Sequence, residues 1–597
     1  MTTHRSDRPR ESGTPSRTKP ARTQCFSSAA ALSLLCACTG SVEVDKVAPW
    51  LPHTSAPGYA GAGAAAARTG AAAAAPYVGG AGGPGAPGTG TNGGPGAANS
   101  CETGRIGGRA VPLAPRQYVN VLRDVVGASA VSDNDAAASG DFVFDTVDLP
   151  WITTSTLDRL LRLSDGAVES LRGKTGTFLG CGSLLDDACV RTGLSKVARR
   201  TFKRPVQPAE LDGIMAVRQA GIAAVATDQG ESAALAALQA ILIAPSTIYR
   251  SEFLAGVVSA EVALTPHERA ASIAAFLLDS VPDEPLMAAA DDGSLMARPG
   301  LEAQVDRLLA LPRVRTHLTR LILQAFNVPR VYTTPKDSKL FPEYTPALQT
   351  SMYEESRRFV EDLLWTRSAP LGELLTSRRS FVDASLAKLY GVAAPSGDQF
   401  AATDLPVGRS GILTHASVLS VLSRTEVNSV VARGLFMRGN VLCLPKIPGP
   451  PASVQAQVAA QLDAKSTQRE LAAFRAMTSP CMGCHQQFDR FGLLLEAYDP
   501  IGRHLPAQAQ TVDFTGLPPL NGPLADVPAL TGRLEQDQLF ERCLSDRTLS
   551  YALSVSNNSQ ERCLADTASP APASGSIRDL VLTIVDSPAF NNRSKEP

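Results

Sequence analysis

The chain has 597 residues, a formal net charge of −1, 44% hydrophobic and 5% aromatic residues, and eleven cysteines. That length implies several domains. The near-neutral charge, with no basic stripe, argues against a nucleic-acid-binding protein.

In chain order, residues 1 to 22 hold six basic residues against Asp7 and Glu11, and the apolar run "FSSAAALSLLCA" follows at 26 to 37. Twelve residues are too few to span a bilayer but match the core of a signal peptide, roughly 7 to 15 residues. The run ends in "LCAC", so small residues precede Cys38 as in a bacterial lipobox. The expectation is a signal peptide at 1–37 and a lipidated Cys38 at the start of the mature protein. Thr39 does not look like an inner-membrane retention residue, which points to an outer-membrane lipoprotein. Without residues 1–37 the net charge is near −5. No later run approaches 18 apolar residues, so no transmembrane helix is expected. Residues 60 to 100, "AGAGAAAARTGAAAAAPYVGGAGGPGAPGTGTNGGPGAANS", offer almost no side chain to bury and cannot offset the entropy of ordering. The segment 38–100 therefore reads as an anchor and a flexible tether.

From residue 101 the patterning is mainly α-helical, and the fold class expected is several helical domains in series. "TPHERAASIAAFLLDS" places Thr265 as an N-cap, Pro266 at the first helical position and Glu268 in a capping box. "LEAQVDRLLAL" puts Leu301, Val305, Leu308 and Leu309 on one face. Thr345 and Pro346 open another helix, and "VDASLAKLYG" runs from a cap at Asp383 to a stop at Gly391. "TQRELAAFRAM" has a second capping box, Thr467 with Glu470, and its helix must stop before Pro480. Strand-like alternation is scarce. No G-x-S-x-G, no phosphate-cradling glycine loop and no helical-repeat period is present. Domain blocks are expected at 101–172, 173–250, 251–404, 405–505 and 506–597.

Nine cysteines lie beyond residue 37. With Cys38 lipidated and Cys481 and Cys484 used by a cofactor, six remain, enough for three disulfides in an oxidising compartment. Sequence cannot choose among fifteen connectivities. Local spacing pairs Cys181 with Cys189 and Cys543 with Cys563, leaving Cys101 with Cys443.

Cys481, Cys484 and His485 form C-x-x-C-H within "PCMGCHQQFDRFGLLLEAYDPIGR". Residue frequencies predict only roughly 0.002 chance occurrences of the pattern in a sequence of this composition. Covalent haem c needs two thiols for two vinyl groups and an adjacent histidine for the iron. No methionine follows Met482, so the sixth ligand is His504, an upstream Met437, Met477 or His415, or absent. Three other readings stand open. Zinc lacks a fourth ligand, a thioredoxin-like pair lacks its βαβ context, and a structural disulfide would leave the histidine incidental. The run "IPGPP" at 447 to 451 is either a wall for a haem edge or a stiff connector. Asp489, Glu496 and Asp499 are expected to cap turns and pair with Arg490 and Arg503. His415, in an apolar run, reads as a satisfied core histidine. Tyr118, Asn120, Arg123 and Asp124 read as a polar cluster on one helix.

"PLAPRQYVNVLRDVVG" at 112 to 127, "ARRTFKRPVQPAEL" at 198 to 211, "LQAILIAPSTIYRSEF", "DSVPDEPLMAAADDGSL", the stretch 409 to 451, the C-x-x-C-H segment, "RCLSDRTLSYAL" and "IRDLVLTIVDSPAF" occur in that order. Together they resemble the planctomycete-surface-domain family, multi-domain exported proteins of unknown function in planctomycete-type and myxobacterial genomes. Gln117 replaces an acidic residue of that pattern; after the C-x-x-C-H, Phe488 replaces an isoleucine and Arg490 a proline. The resemblance implies a cytochrome-c-like segment near the C-terminus. The function expected is an envelope lipoprotein with one haem c in a redox or electron-transfer role, attached to the membrane by its lipid and meeting a redox or surface partner. The alternative is a non-enzymatic surface binding or assembly protein with structural disulfides.

Overall fold

A computed structural model describes residues 109–127, 152–182, 185–224, 230–252, 261–397, 399–447, 449, 467–479, 481–555 and 575–594. The anchor and tether, Cys101 and Cys563 lie outside them, as do most of 447–451. The protein is mainly α-helical. Among the described residues its strands form four two-stranded antiparallel ribbons. No described helix is long and apolar enough to cross a membrane.

The N-terminal part packs helices Pro115–Val126, Thr154–Glu169, Asp187–Phe202, Pro208–Ala224 and Glu231–Leu242. Their apolar faces meet at Tyr118, Leu122, Leu160, Leu194, Leu238 and Ile241. A ribbon pairing Arg109 with Glu252 joins the two ends of this part. Cys181 bonds Cys189 across a loop, with Cα atoms 5.6 Å apart. The expected polar cluster on the first helix reaches out of this core. Tyr118 is buried, and Asn120 Nδ2 donates to the carboxylate of Asp279 at 3.0 Å. Asp124 pairs with Arg313 at 2.8 Å. These bonds fasten the N-terminal part to the next.

The second part contains the helices whose starts are legible in sequence. Thr265 accepts from Glu268 N while the Glu268 carboxylate accepts from Thr265 N, closing the predicted capping box. Helix Arg298–Leu309 buries Leu301, Val305, Leu308 and Leu309, as its periodicity requires. Thr345 and Asp383 cap their helices, and Gly391 ends the second with a left-handed φ of 70°. One contiguous core then runs from Ala270 to Phe590, taking residues from all three of the last sequence blocks. A ribbon pairs Val262 with Arg593, tying the start of this body to the last described strand.

Here the cysteine pairing departs from expectation. Cys443 bonds Cys543, with Cα atoms 5.2 Å apart, so Cys443 does not pair with Cys101 and Cys543 does not pair with Cys563. The reason is tertiary. Helix Leu539–Leu553 packs against the π-helical turn Met437–Val441, which brings together two cysteines 100 residues apart.

Candidate haem-binding turn

The site is carried by two short helical pieces and the helix before them. Helix Gln468–Met477 starts in the Thr467 and Glu470 capping box and ends at Thr478. Past Pro480 the backbone restarts as a single turn, Met482–His485, in which His485 N donates to Cys481 O at 3.1 Å. Cys481 and Cys484, three positions apart on a helical turn, share a face. Cys481 is buried and Cys484 exposed, and both are free thiols. The structural-disulfide reading of this pair is therefore not what the structure holds. Among the described residues its surroundings are helical, without the βαβ unit of a thioredoxin-like pair. Among the described residues no three His, Cys, Asp or Glu side chains gather as a bare metal ion requires.

His485 is fixed from one side. Its Nδ1 lies 3.1 and 3.2 Å from the two carboxylate oxygens of Asp489, one helical turn on. Its ring rests against Phe488, 4.9 Å between centroids. Nε2 has no hydrogen-bond partner among the described residues. Asp489 is buried and receives a second bond, from Arg475 Nε at 3.0 Å. The expected partner Arg490 instead donates to Thr515 O. Arg475, 8% exposed, keeps a buried Nη2 without any partner among the described residues.

The platform below is a close helix pair. Helix Asp489–Leu494 lies on helix Val430–Phe436. A β-carbon on Gly492 would come within 1.9 Å of Val430 O, and one on Gly434 within 2.2 Å of Phe488 O. Only glycines allow this approach. Buried Arg433 then closes the far end of the helical run, donating to the carbonyls of Leu495 (2.6 Å), Tyr498 (2.8 Å) and Asp499 (3.1 Å), so that a guanidinium from a neighbouring helix satisfies the terminal carbonyls. Burial pulls its guanidinium to about 10, with Asp499 and Glu496 opposing. Glu496 faces Arg469 at 3.1 Å. Asp499 pairs with Arg503 as expected, at 2.6 Å, and accepts the backbone N–H groups of Ile501 and Arg503.

His504 sits against Tyr498, past the end of the helical run that follows His485. His504 bridges Tyr498 and stacks on its ring at 5.1 Å, beside Gly408. Burial and the Arg409 charge hold its pKa below the ordinary value. Between the two histidines lies the helical run Asp489–Ala497, which rises about 13–15 Å. Met437 is packed in the main core and His415 is 1% exposed among serines. Met477 is 78% exposed. Arg475 and Arg433 are the site residues that sequence reading misses. Neither belongs to a local motif, and only packing places them.

Three families match the protein: PSD5, protein of unknown function (DUF1595), at residues 189–252; PSD4, protein of unknown function (DUF1592), at 264–392; and PSCyt3, protein of unknown function (DUF1588), at 409–507, which contains the C-x-x-C-H turn. No curated protein and no solved structure matches it. These three matches, in order along one mainly helical polypeptide, are to domains of the planctomycete-type cytochrome-c-like family and are consistent with a multi-domain family of unknown function.

Proposed function

We propose that the protein is an envelope lipoprotein that carries one covalently bound haem c on Cys481, Cys484 and His485 and works in electron transfer. The observation that carries this reading is the contrast among its cysteines. Of the six described, four are joined in disulfides, while Cys481 and Cys484 stay free on one turn beside a histidine. Disulfides suit an oxidising compartment, where two neighbouring thiols persist when something else uses them.

The residues fit the group. Cys481 and Cys484 would hold the group as thioethers, each thiol adding across one vinyl group with its sulfur and its hydrogen both ending on the former double bond, so no oxidant or reductant would be consumed. Nε2 of His485 is left for the iron, and Nδ1 is held by Asp489. The unpaired Nη2 of Arg475 is a buried donor suited to a carboxylate such as a haem propionate. The bound group supplies a one-electron ferric/ferrous couple. The protein's own part is to fix the turn on the glycine-packed helix pair, to hold the histidine ring and to shield Cys481. Cys38 and the tether would hold this body on the outer membrane, facing a redox or surface partner protein.

The test is the full-length protein matured in a host with a working cytochrome c assembly system. A mass increase of one haem that survives denaturation, and is lost in Cys481→Ala with Cys484→Ala, is the expected result. Wild-type protein without haem overturns the reading and leaves a surface binding or assembly protein in its place.

A further inference from the structure

We infer that Asp489 is a positioning residue that makes His485 an electron-rich ligand, so that the site favours ferric over ferrous iron, with Arg475 setting how strongly; this rests on the haem reading above.

Three observations carry the inference. Nδ1 of His485 faces both oxygens of one carboxylate, at 3.1 and 3.2 Å, rather than a backbone carbonyl. The carboxylate is 4% exposed, so little water competes for its lone pairs or screens its charge. One of its oxygens is shared with Arg475 Nε at 3.0 Å, so a buried cation draws on the same electron density. A carboxylate on the outer nitrogen pulls the Nδ1 proton toward itself and makes Nε2 a stronger donor to a metal. A stronger donor stabilises the higher oxidation state, which lowers the reduction potential. Arg475 works the other way, weakening Asp489 as an acceptor and adding positive charge, both of which favour the reduced state.

The opposed signs make the idea testable. Equilibrium redox titration of the matured full-length protein should place Asp489→Asn at a higher midpoint potential than wild type. The expected rise is at least tenfold in the ferrous-to-ferric ratio, about 59 mV for one electron. Arg475→Gln should move the opposite way, and Asp489→Glu should return most of the wild-type value. The iron–histidine stretch of the ferrous protein should fall in Asp489→Asn; a remote charge that only shifted the potential would leave it in place. Haem attached with an unmoved potential and stretch in Asp489→Asn overturns the inference and leaves the haem reading standing. Should Asp489→Asn not fold, Arg475→Gln decides, an unchanged or raised potential being fatal. Shifts of both variants in the same direction also overturn it, since loosening of the turn would produce them. Absence of haem by mass in wild type takes down the haem reading itself, a separate and distinguishable failure.

Discussion

Two histidines in the C-terminal half show how differently one side chain is used. His485 has one nitrogen fastened to a buried carboxylate and the other without a partner among the described residues. His415, 1% exposed, has both engaged: Nδ1 lies 3.1 Å from Ser356 Oγ and Nε2 3.4 Å from Ser380 Oγ, with the ring edge-on to Phe359. Burial first, and the Arg409 charge second, pull His415 down to about 3, so it is neutral across the physiological range. Beside it Glu355 is fully buried, accepts from Tyr390 Oη and Ser380 Oγ, and is pushed up to about 7 by burial. The lesson is that availability of the second nitrogen separates a candidate ligand from a piece of core. Sequence context alone ranks the two only roughly.

The largest effect that sharpens this contrast is all-or-none. In the matured protein, His485→Ala should remove the nitrogen donor while covalent attachment through Cys481 and Cys484 survives, whereas His415→Ala should leave the haem spectrum as in wild type. An unchanged spectrum in His485→Ala would break the comparison. On stability the order reverses. His415→Ala removes a buried ring and its bonds to the Ser356 and Ser380 hydroxyls, which keep Met352 O, Ser417 Oγ and Glu355 as partners, a loss of about 2–4 kcal/mol. His485→Ala in haem-free protein should cost under about 1 kcal/mol. Urea unfolding of both variants is the measurement.

A comparable effect should appear as a pH dependence. The folded pKa of Glu355, about 7, lies above its ordinary 4.5. The folded state therefore binds this proton more tightly. The contribution is fully present below about pH 4.5 and is lost as pH rises through 7, about 3 kcal/mol in all. His415 has the opposite sign, its contribution being present above pH 6.5 and lost as pH falls toward 3. Glu355→Gln should thus gain on wild type steadily between pH 4.5 and 7.5. A difference independent of pH would show that Glu355 is ionised in the fold.

Smaller effects probe the platform. Gly492→Ala must push a β-carbon against Val430 O and should cost about 1–3 kcal/mol. Gly483→Ala, in the Met482–His485 turn, has nothing within 4 Å of its added carbon and should be neutral or stabilising by up to about 1 kcal/mol. Equal losses at both glycines, read from unfolding midpoints, would mean that the helix pair is not held this closely. Smallest in stability is Cys38→Ser. It should leave the melting curve unchanged and move the protein from the membrane fraction to the soluble one; retention in the membrane fraction removes the lipid anchor from the proposal.

Features that depend on neighbours a few residues apart were readable in the bare sequence. The capping boxes at Thr265 and Thr467, the buried stripe of Arg298–Leu309 and the break before Pro480 each follow from bonds or faces spanning three or four positions. Cys181–Cys189 belongs with them, because eight residues make a loop that closes almost wherever it is placed. The C-x-x-C-H turn was legible for the same reason, since all its donors sit on one turn. Cys443 with Cys543, Arg475 on Asp489, Arg433 over the end of the helical run and the joint of Glu355 with His415 were decided by packing. Each joins residues from separate elements, and short-range patterning carries no information about which elements meet. Burial in a shared core then settles their chemistry, because a charge or ring nitrogen removed from water must take whatever partner the neighbouring helix presents.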